Sequence, residues 1–345
     1  MRAPRIIVAI AFAFIPVAAA VAQEGAPPVA KEMARFKPLI GNWEGSGTVR
    51  PAPGAPEMPW TSVSTTESVL GGHFVMDHMK IDVEGMPVPI IFNSVSGWDP
   101  VREQYVSFET SNMGGAGEST MHFAGNKVIS ASSGIEDGAV VADIWVTEFE
   151  GDAVRFTGHR SIEGGPLFVF VEGTQQRGGP GFSVGPETAS TTMAPPIEQM
   201  SPLAALAGTW DLEGKWKPRG GAEAIAISGR ETTEPILGGH ALRSHTTGQG
   251  GGVDYEGFGF MAWCPAENCI MSVGYDNMGE YHKAKCWVEG DHLVAVSAGA
   301  YQGRPTASRG MMKLSPDVLT WKGHAMAGAE EPFLSFEGVW TRAEE

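Results

Sequence analysis

Short runs in which apolar and polar residues alternate follow one another along most of the chain. Examples are residues 62–68, 105–112 and 140–149, which are rich in β-branched and aromatic residues and are separated by turn formers. A period of two is typical of β-strands with one buried face. Residues 32–39 and 197–206 predict only one or two helical turns each. No stretch keeps a period of 3.6 residues for long enough to favour a parallel α/β sheet, so the pattern predicts an all-β protein.

The sequence contains one large internal repeat. An offset of 167 residues aligns the first part of the chain with a second copy that begins near Met200, and a two-residue length difference then changes the offset to 165. The matched residues include Trp43/Trp210, His73/His240, His78/His245, Trp98/Trp263, Asn112/Asn277 and His159/His324. A register that holds over this length indicates a tandem duplication.

Each copy is expected to contain eight to ten short antiparallel strands. Such strands close most naturally into a β-barrel, because closure removes exposed strand edges; a β-sandwich is the alternative. We assign the first domain to residues 33–176 and the second to residues 198–343. The segment 177–197 between them is rich in Gly, Pro, Ser and Thr, which is a linker composition.

Residues 1–22 have the features of a signal peptide. Arg2 and Arg5 precede an apolar run at 6–19, and residues 20–22 supply a small-x-small cleavage pattern. The run contains Pro16 and is shorter than the roughly 20 residues that a spanning helix needs. We therefore expect cleavage after Ala22 and a periplasmic or secreted protein.

The mature chain is strongly acidic. The formal net charge is −16, and loss of Arg2 and Arg5 with the signal peptide makes it −18. This charge repels nucleic acid and anionic lipid, so we expect neither as a partner. The oligomeric state is left open by the sequence.

The three cysteines all lie in the second copy. Cys264 and Cys269 flank a four-residue hairpin loop, where facing residues can meet disulfide geometry. Because an exported protein meets an oxidising compartment, we expect a disulfide between them; a metal site is the alternative. Cys286 is expected to be a buried free thiol.

Phosphate-loop, dinucleotide-binding and local metal-binding motifs are absent from the sequence: it has no phosphate loop, no GxGxxG after a strand, and no HxH or HxxxH. One GxSxG match, at residues 181–185, lies in the segment with linker composition and not between a strand and a helix. We therefore expect a protein that is not an enzyme and holds no metal.

Polar and aromatic residues that recur in both copies are the best candidates for a site in the barrel lumen. Asn112 and Asn277 end the apolar face of a strand, where a ligand could bond the buried amide. The alternative is that each asparagine closes the turn that follows. The remaining candidates are Trp98, Trp263, Glu172, Glu337, His73 and His240.

Strand parity sorts several of these residues. Glu172 and Glu337 share a face with Phe168 and Phe333, so they could point inward; a strand-end carboxylate that binds a backbone amide is the alternative. His159 and His324 lie on polar faces, and we expect them at the surface.

Several motifs suggest a family. The Gly-x-Trp opening, the Leu-Gly-Gly turn and the Gly-Trp-Asp-Pro or Ala-Trp-Cys-Pro hairpin recur in both copies. Together with residues 255–278, they resemble the bacterial "domain of unknown function 1579" family, over nearly all of the second copy and more loosely the first. The resemblance implies a lipocalin-like (calycin-type) β-barrel and no particular activity.

The opening at residues 41–47 is also similar to that of nitrobindin-type haem barrels. The second copy departs from this pattern at Leu212 and Lys215, and residues 333–342 contain no match for the C-terminal proximal histidine of those barrels. Haem is therefore an alternative and not the expected cofactor.

We expect an exported binding protein with two tandem calycin-like barrels. Each would hold a small, mostly apolar ligand, oriented by Asn112 or Asn277 and by Trp98 or Trp263. The alternatives are a pair of filled barrels that serve as an envelope or interaction module, a haem-binding protein, and an enzyme with a lumen site.

Overall fold

The structure is a computed structural model that describes residues 27–136, 138–185, 198–217, 219–301, 304–328 and 331–344. The predicted signal peptide and residues 186–197 of the predicted linker lie outside these ranges.

Ten antiparallel strands form the first barrel, and each pairs with its neighbours in sequence. They are β1 (Gly41–Val49), β2 (Met58–Val69), β3 (Phe74–Val83), β4 (Ile90–Asp99), β5 (Gln104–Ser111), β6 (Ala116–Ala124), β7 (Lys127–Glu136), β8 (Ala139–Glu150), β9 (Ala153–Ile162) and β10 (Phe168–Arg177). Pairing of β1 with β10 closes the barrel.

The second barrel repeats this topology with ten further strands. They are β11 (Gly208–Trp216), β12 (Ile225–Ile236), β13 (Ala241–Gly250), β14 (Val253–Cys264), β15 (Cys269–Asp276), β16 (Tyr281–Glu289), β17 (His292–Tyr301), β18 (Arg304–Lys313), β19 (Val318–Ala327) and β20 (Phe333–Arg342). The predicted fold of two tandem antiparallel barrels is confirmed, with the strand number at the upper end of the expectation.

Short 3₁₀ helices precede the first and third strands of each barrel. They are Lys31–Leu39, Leu70–Gly72, Glu198–Leu206 and Leu237–Gly239. In the described residues, no helix has the length and apolar character needed to cross a membrane.

A tryptophan closes one end of each barrel. Trp43 donates its indole N–H to the Leu39 carbonyl over 2.8 Å, and Trp210 makes the same bond to Leu206. The arginine that ends the last strand covers the indole face, at 4.4 Å in the first barrel and 4.2 Å in the second. The long 3₁₀ helix and this tryptophan together seal the end, as expected for the apolar body and polar N–H of an indole.

The two barrels pack against each other through a shared apolar cluster. Phe74, Val95 and Phe108 of the first barrel meet Phe260 and Tyr275 of the second. The rings of Phe74 and Tyr275 are in edge contact with centroids 5.0 Å apart. Burial of these aromatic rings makes the interface a substantial source of stability.

The beginning of the predicted linker joins this interface. Val184 is buried in the inter-barrel cluster, and its carbonyl accepts a hydrogen bond from Arg243 of the second barrel at 3.0 Å. The backbone N–H of Phe182 donates to the Thr65 hydroxyl at 2.9 Å. Residues 178–185 are therefore part of the packed structure and not a free tether.

Candidate functional site

The lumen of the first barrel is lined by the polar face of β5. Phe108 on the other face of this strand belongs to the inter-barrel cluster, and Val106 and Thr110 beside it are buried. Ser107 and Glu109 therefore point into the barrel. The expectation that the apolar face of β5 lines the lumen is wrong, because that face packs against the second barrel.

Asp77 and Glu109 lie on one cross-strand row of this lumen. Asp77 pairs with Ser94, and Ser94 pairs with Glu109. The Thr66 hydroxyl, from the strand on the other side, donates to Asp77 Oδ1 at 2.6 Å. Because neighbouring strands lie about 4.8 Å apart, the backbones of the two acidic residues are separated by roughly 10 Å.

The carboxyl groups of Asp77 and Glu109 both have a raised pKa. Burial raises the pKa of Asp77 to about 6. Burial also raises the pKa of Glu109 to about 7, and the charges of Asp77, Asp143 and Glu136 add to this effect. These three residues belong to strands that do not adjoin β5, so their charges act across the lumen.

Although protein atoms surround Glu109 closely enough to desolvate it, part of its side chain is still in contact with solvent. A side chain that points into a barrel and still contacts solvent must line a space that solvent can enter. Ser94, Ser107 and Ser111 on the same wall are also only half-buried. The inner wall of the first barrel is therefore acidic and accessible to solvent at Glu109.

Arg160 is the cation of this lumen, and two carboxylates bind it. Its guanidinium bonds both oxygens of Asp143, at 2.8 and 2.7 Å, and both oxygens of Glu136, at 2.6 and 2.9 Å. It also lies 4.3 Å from the ring centroid of Phe170. Within the described residues, no ion pair includes Asp77 or Glu109, so their negative charges are uncompensated by the protein.

Aromatic rings cover the closed end of the lumen. Tyr105 makes edge contacts with Phe36, Trp98 and Phe123, with ring centroids 4.6 to 5.7 Å apart. Further along the wall, Phe156 stacks on Trp60 at 5.5 Å. The lumen thus combines an apolar floor with acidic groups above it.

The wall formed by β1, β2 and β10 contains buried polar atoms that lack a hydrogen-bond partner among the described residues. They are Trp60 Nε1, Ser62 Oγ and Gln175 Nε2. Ser62 and Gln175 flank Gly45, where a Cβ would lie 2.6 Å from Ser62 Oγ and 2.7 Å from Gln175 Cγ. Glycine at this position is what allows both polar side chains to occupy the wall.

The second barrel has a filled interior instead. Trp210, Leu212, Trp321, Phe336 and Trp340 are almost fully buried in its core. The void beside Tyr255 and Met261 has a volume of about 10 Å³, which is room for one water at most. The interior beside Tyr255 and Met261 therefore has no space for an organic ligand.

Four charged residues of the first lumen have uncharged equivalents in the second copy. The equivalent positions, first copy before second, are Asp77/Ser244, Glu109/Gly274, Asp143/Ser308 and Arg160/Ala325. Cross-strand pairing supports the equivalence, since Asp143 pairs with Arg160 as Ser308 pairs with Ala325. The second copy therefore lacks all four charges.

Sequence reasoning missed these residues because it looked for positions that recur in both copies. The sequence did contain a signal: a charged residue in one copy aligns with a small residue in the other. The alignment of Glu109 with Gly274 is an example and points to the first lumen.

Asn112 and Asn277 bind the backbone at the end of their strands. Asn112 accepts a hydrogen bond from the Ile91 N–H at 2.8 Å and donates to the Pro89 carbonyl at 2.9 Å. Asn277 donates to the Asp254 carbonyl at 3.2 Å. Both side chains connect a strand end to the start of the preceding strand, and ligand contact by either asparagine stays a prediction.

Trp98 and Trp263 are half-buried. Trp98 belongs to the aromatic floor described above, whereas Trp263 packs against the filled core of the second barrel. Only Trp98 thus borders an open lumen.

Glu172 and Glu337 lie beside irregularities that shift strand parity. The pairing of β10 shifts between Val169 and Val171, and the pairing of β20 with β19 shifts in the same way. In β20 the neighbour Phe336 is in the core, so Glu337 lies on the outer face. Glu172 is exposed. The inward orientation predicted for both glutamates is wrong, because a bulge adds one residue and reverses the parity.

His73 and His240 lie at the inter-barrel interface and not in a lumen. A Cβ on Gly279 would lie 2.5 Å from His73 Nδ1, and a Cβ on Gly114 would lie 3.2 Å from His240 Nδ1. Burial lowers the pKa of His73, although a hydrogen bond with the Pro27 backbone opposes this effect. Each histidine therefore contacts the Asn-Met-Gly turn of the opposite barrel.

Other recurring residues line an open groove of about 420 Å³ between the barrels. Glu67 and His78 face this groove from the first barrel, and Glu234 and His245 from the second. Burial lowers the pKa of His78 to about 4, and the positive charge of Arg243 lowers it further. The recurrence of these residues thus reflects the contact between the barrels.

Cys264 and Cys269 are free thiols, so the predicted disulfide is not formed. They are cross-strand partners on β14 and β15, as expected, but both are buried. Burial raises the pKa of each thiol, which disfavours the thiolate needed for disulfide formation. Cys286 is also buried and free, as predicted.

Residues 29–148 match the model of DUF1579, a family of proteins of unknown function. The resemblance to this family is confirmed there. The matched residues lie in the first copy, where the sequence analysis placed the looser part of the likeness. Among curated proteins, none matches the chain.

Two solved structures are similar in part. Rv2717c from M. tuberculosis is 16% identical, with a TM-score of 0.36, and the alignment covers 44% of this chain and 100% of that one. A DUF3598-family protein of unknown function from Nostoc punctiforme is 10% identical, with a TM-score of 0.27, and the alignment covers 91% and 100%. With scores this low, neither likeness bears on what the chain binds.

Proposed function

We propose that the chain is an exported, non-catalytic binding protein whose first barrel holds a small ligand with an apolar body and a cationic group. The observation that carries this proposal is the pair Asp77 and Glu109. Both carboxyl groups line a lumen that solvent enters, and no cation of the described residues pairs with them. A positively charged group would supply the missing partner.

The aromatic floor supports an apolar body for the ligand. Trp98, Tyr105 and Phe123 are only partly buried at the closed end, where an apolar group can displace water favourably. The faces of aromatic rings also attract cations. A ligand such as an aromatic or alkyl amine would satisfy both parts of the lumen.

The second barrel has a different role in this proposal. Its filled core provides a rigid partner for the first barrel and no ligand site. We therefore propose a ligand in the first barrel only. For the second barrel we propose the alternative role, a filled barrel without a ligand. Export is supported by the signal peptide features at residues 1–22 alone.

A matched pair of probes tests the proposal. Tryptamine and indole-3-propionate share an aromatic body and differ in the sign of their charge. Isothermal titration of the purified mature chain should show tighter binding of tryptamine. Glu109→Gln should weaken this binding by about tenfold, the value of one charge-assisted hydrogen bond.

Two further variants provide the controls. Glu172→Gln removes a carboxylate from the outer surface and should leave binding unchanged. The triple variant Gly45→Leu, Ser62→Gly and Gln175→Trp installs the residues of the second barrel and should abolish binding. Equal affinity for the two probes, no binding of either, or retained binding in the triple variant would contradict the proposal.

A further inference from the structure

Three potential metal ligands meet at the hairpin between β15 and β16 of the second barrel. They are Asp276 at the end of β15, Glu280 in the turn, and His282 near the start of β16. One ligand atom from each lies within 4.8 Å of the others. His282 Nε2 is 3.3 Å from Glu280 Oε2 and 3.9 Å from Asp276 Oδ2.

The turn itself holds Asp276 in place. Asp276 Oδ1 accepts hydrogen bonds from the backbone N–H groups of Met278 and Glu280, at 2.9 and 3.0 Å. The second oxygen, Oδ2, is buried and has no hydrogen-bond partner among the described residues, and the same is true of Glu280 Oε2. Two carboxylate oxygens are thus directed at one buried point without a donor.

This arrangement is costly without a positive charge. The Asp276 side chain is 0% exposed, and removing a carboxylate from water is unfavourable unless it is paired.

We propose that Asp276, Glu280 and His282 bind a divalent transition-metal ion of the Zn²⁺ class. Two carboxylate oxygens and one imidazole nitrogen form a ligand set that Zn²⁺ accepts, with a fourth position left for water. The ion neutralises both carboxylates and takes the place of the missing donors. Glu280, whose side chain is 16% exposed, gives the ion access from the surface of the turn.

The site belongs to the second copy alone. The equivalent residues of the first copy are Ser111, Gly115 and Gly117, which offer neither a carboxylate nor an imidazole. The inference does not depend on the ligand proposed for the first barrel. The prediction from sequence that the chain holds no metal rested on the absence of HxH and HxxxH motifs, which this Asp-x₃-Glu-x-His spacing does not resemble.

Metal uptake by the full mature chain tests the proposal. Chelator-treated protein dialysed against Zn²⁺ should retain one equivalent, measured by elemental analysis, and should melt at a higher temperature than the metal-free protein. Co²⁺ in the same site should give the visible absorption of a low-symmetry complex. Failure to retain a stoichiometric ion would overturn the proposal.

Asp276→Asn separates ligation from a structural role. The asparagine Oδ1 can still accept both turn N–H groups, so the hairpin should form. Zn²⁺ affinity should fall by at least about 100-fold, because loss of a direct ligand costs no less than the 10- to 100-fold typical for loss of an outer-shell partner. The metal-free variant should melt at a higher temperature than metal-free wild type, because an unpaired buried carboxylate has been removed. If Asp276 had only a structural role, Asp276→Asn would lower stability both with and without metal.

Two additional variants complete the design. Glu280→Gln, in the partly exposed turn, should also lose the ion and provides a readout if Asp276→Asn does not fold. The double variant His245→Gln with Glu256→Gln removes an exposed pair at 3.1 Å and should retain one equivalent. Unchanged affinity in Glu280→Gln, or loss of the ion only in the control, would refute the assignment.

Discussion

Gln175 and Trp340 occupy equivalent positions in the two barrels. Gln175, on the last strand of the first barrel, pairs with Gly45; Trp340, on the last strand of the second, pairs with Leu212. Trp340 donates its indole N–H to Glu231 at 3.3 Å, whereas Gln175 Nε2 has no hydrogen-bond partner in the part of the chain that the structure describes. The same place in the fold is thus a solid core in one barrel and the wall of an open lumen in the other.

Alanine at these two positions should have unequal effects. Trp340→Ala should lower the free energy of unfolding by about 3–5 kcal/mol, because it removes a fully buried indole and leaves a cavity. Gln175→Ala should change it by less than about 1 kcal/mol, because no hydrogen bond is lost. Urea denaturation followed by circular dichroism gives both values. Similar losses for the two variants would show that the first lumen is as tightly packed as the second.

Glu109 should make stability depend on pH. Its pKa is raised from 4.5 to about 7, so the folded state binds a proton there more tightly than the unfolded state does. The free energy of unfolding should therefore decrease as pH rises from about 4.5 to about 7. Glu109→Gln removes this contribution, so its stability should fall less over that interval and exceed that of wild type at higher pH.

Denaturation midpoints between pH 4 and pH 8 measure this effect. Glu109→Asp retains a carboxyl group and should retain the decrease. A Glu109→Gln variant with the wild-type slope would show that the lumen does not perturb this residue.

The three thiols should be unreactive in the folded protein. Burial raises the pKa of Cys264, Cys269 and Cys286, so little thiolate is present near neutral pH. Ellman's reagent should modify none of them until the protein is unfolded, and then all three without added reductant. Detection of only one thiol after unfolding would instead demonstrate a disulfide.

Gly279→Ala should destabilise the inter-barrel contact. The glycine has φ +76°, and a Cβ there would lie 2.5 Å from His73 Nδ1. Gly290 is the matched control, with φ +64° and no atom within 4 Å of a Cβ. Both alanine variants carry backbone strain, but only Gly279→Ala also meets a neighbour. It should therefore cost about 1–3 kcal/mol more in the free energy of unfolding. An equal loss in the free energy of unfolding for the two variants would mean that His73 can move away from the added methyl group without cost.

The fold could be predicted because its signals are local and occur twice. Alternating strands, turn glycines and the Gly-x-Trp opening all point to the same closed barrel, and the repeat gives the domain count. The orientation of strand faces could not be predicted in the same way. In β5 the apolar face with Phe108 was assigned to a lumen, whereas it covers the second barrel and leaves Glu109 inside.

Two further features lie beyond simple sequence patterns. A bulge near Phe336 reverses the parity on which the assignment of Glu337 depended, and bulges have no reliable sequence signature. The cluster of Asp276, Glu280 and His282 depends on the shape of one turn. Both features become visible only when the strand register is known.

The contacts of His73 with Gly279 and of His240 with Gly114 have a consequence for the origin of the chain. The two contacts are equivalent: in each, the histidine of one barrel meets the glycine turn of the other. This reciprocal pattern is that of an isologous two-fold dimer. The protein is thus organised like a homodimer whose subunits have become covalently joined. Joining the subunits raises their effective concentration to about the millimolar range, so association no longer depends on expression level. One subunit is then free to lose its cavity and serve as a permanent partner for the other.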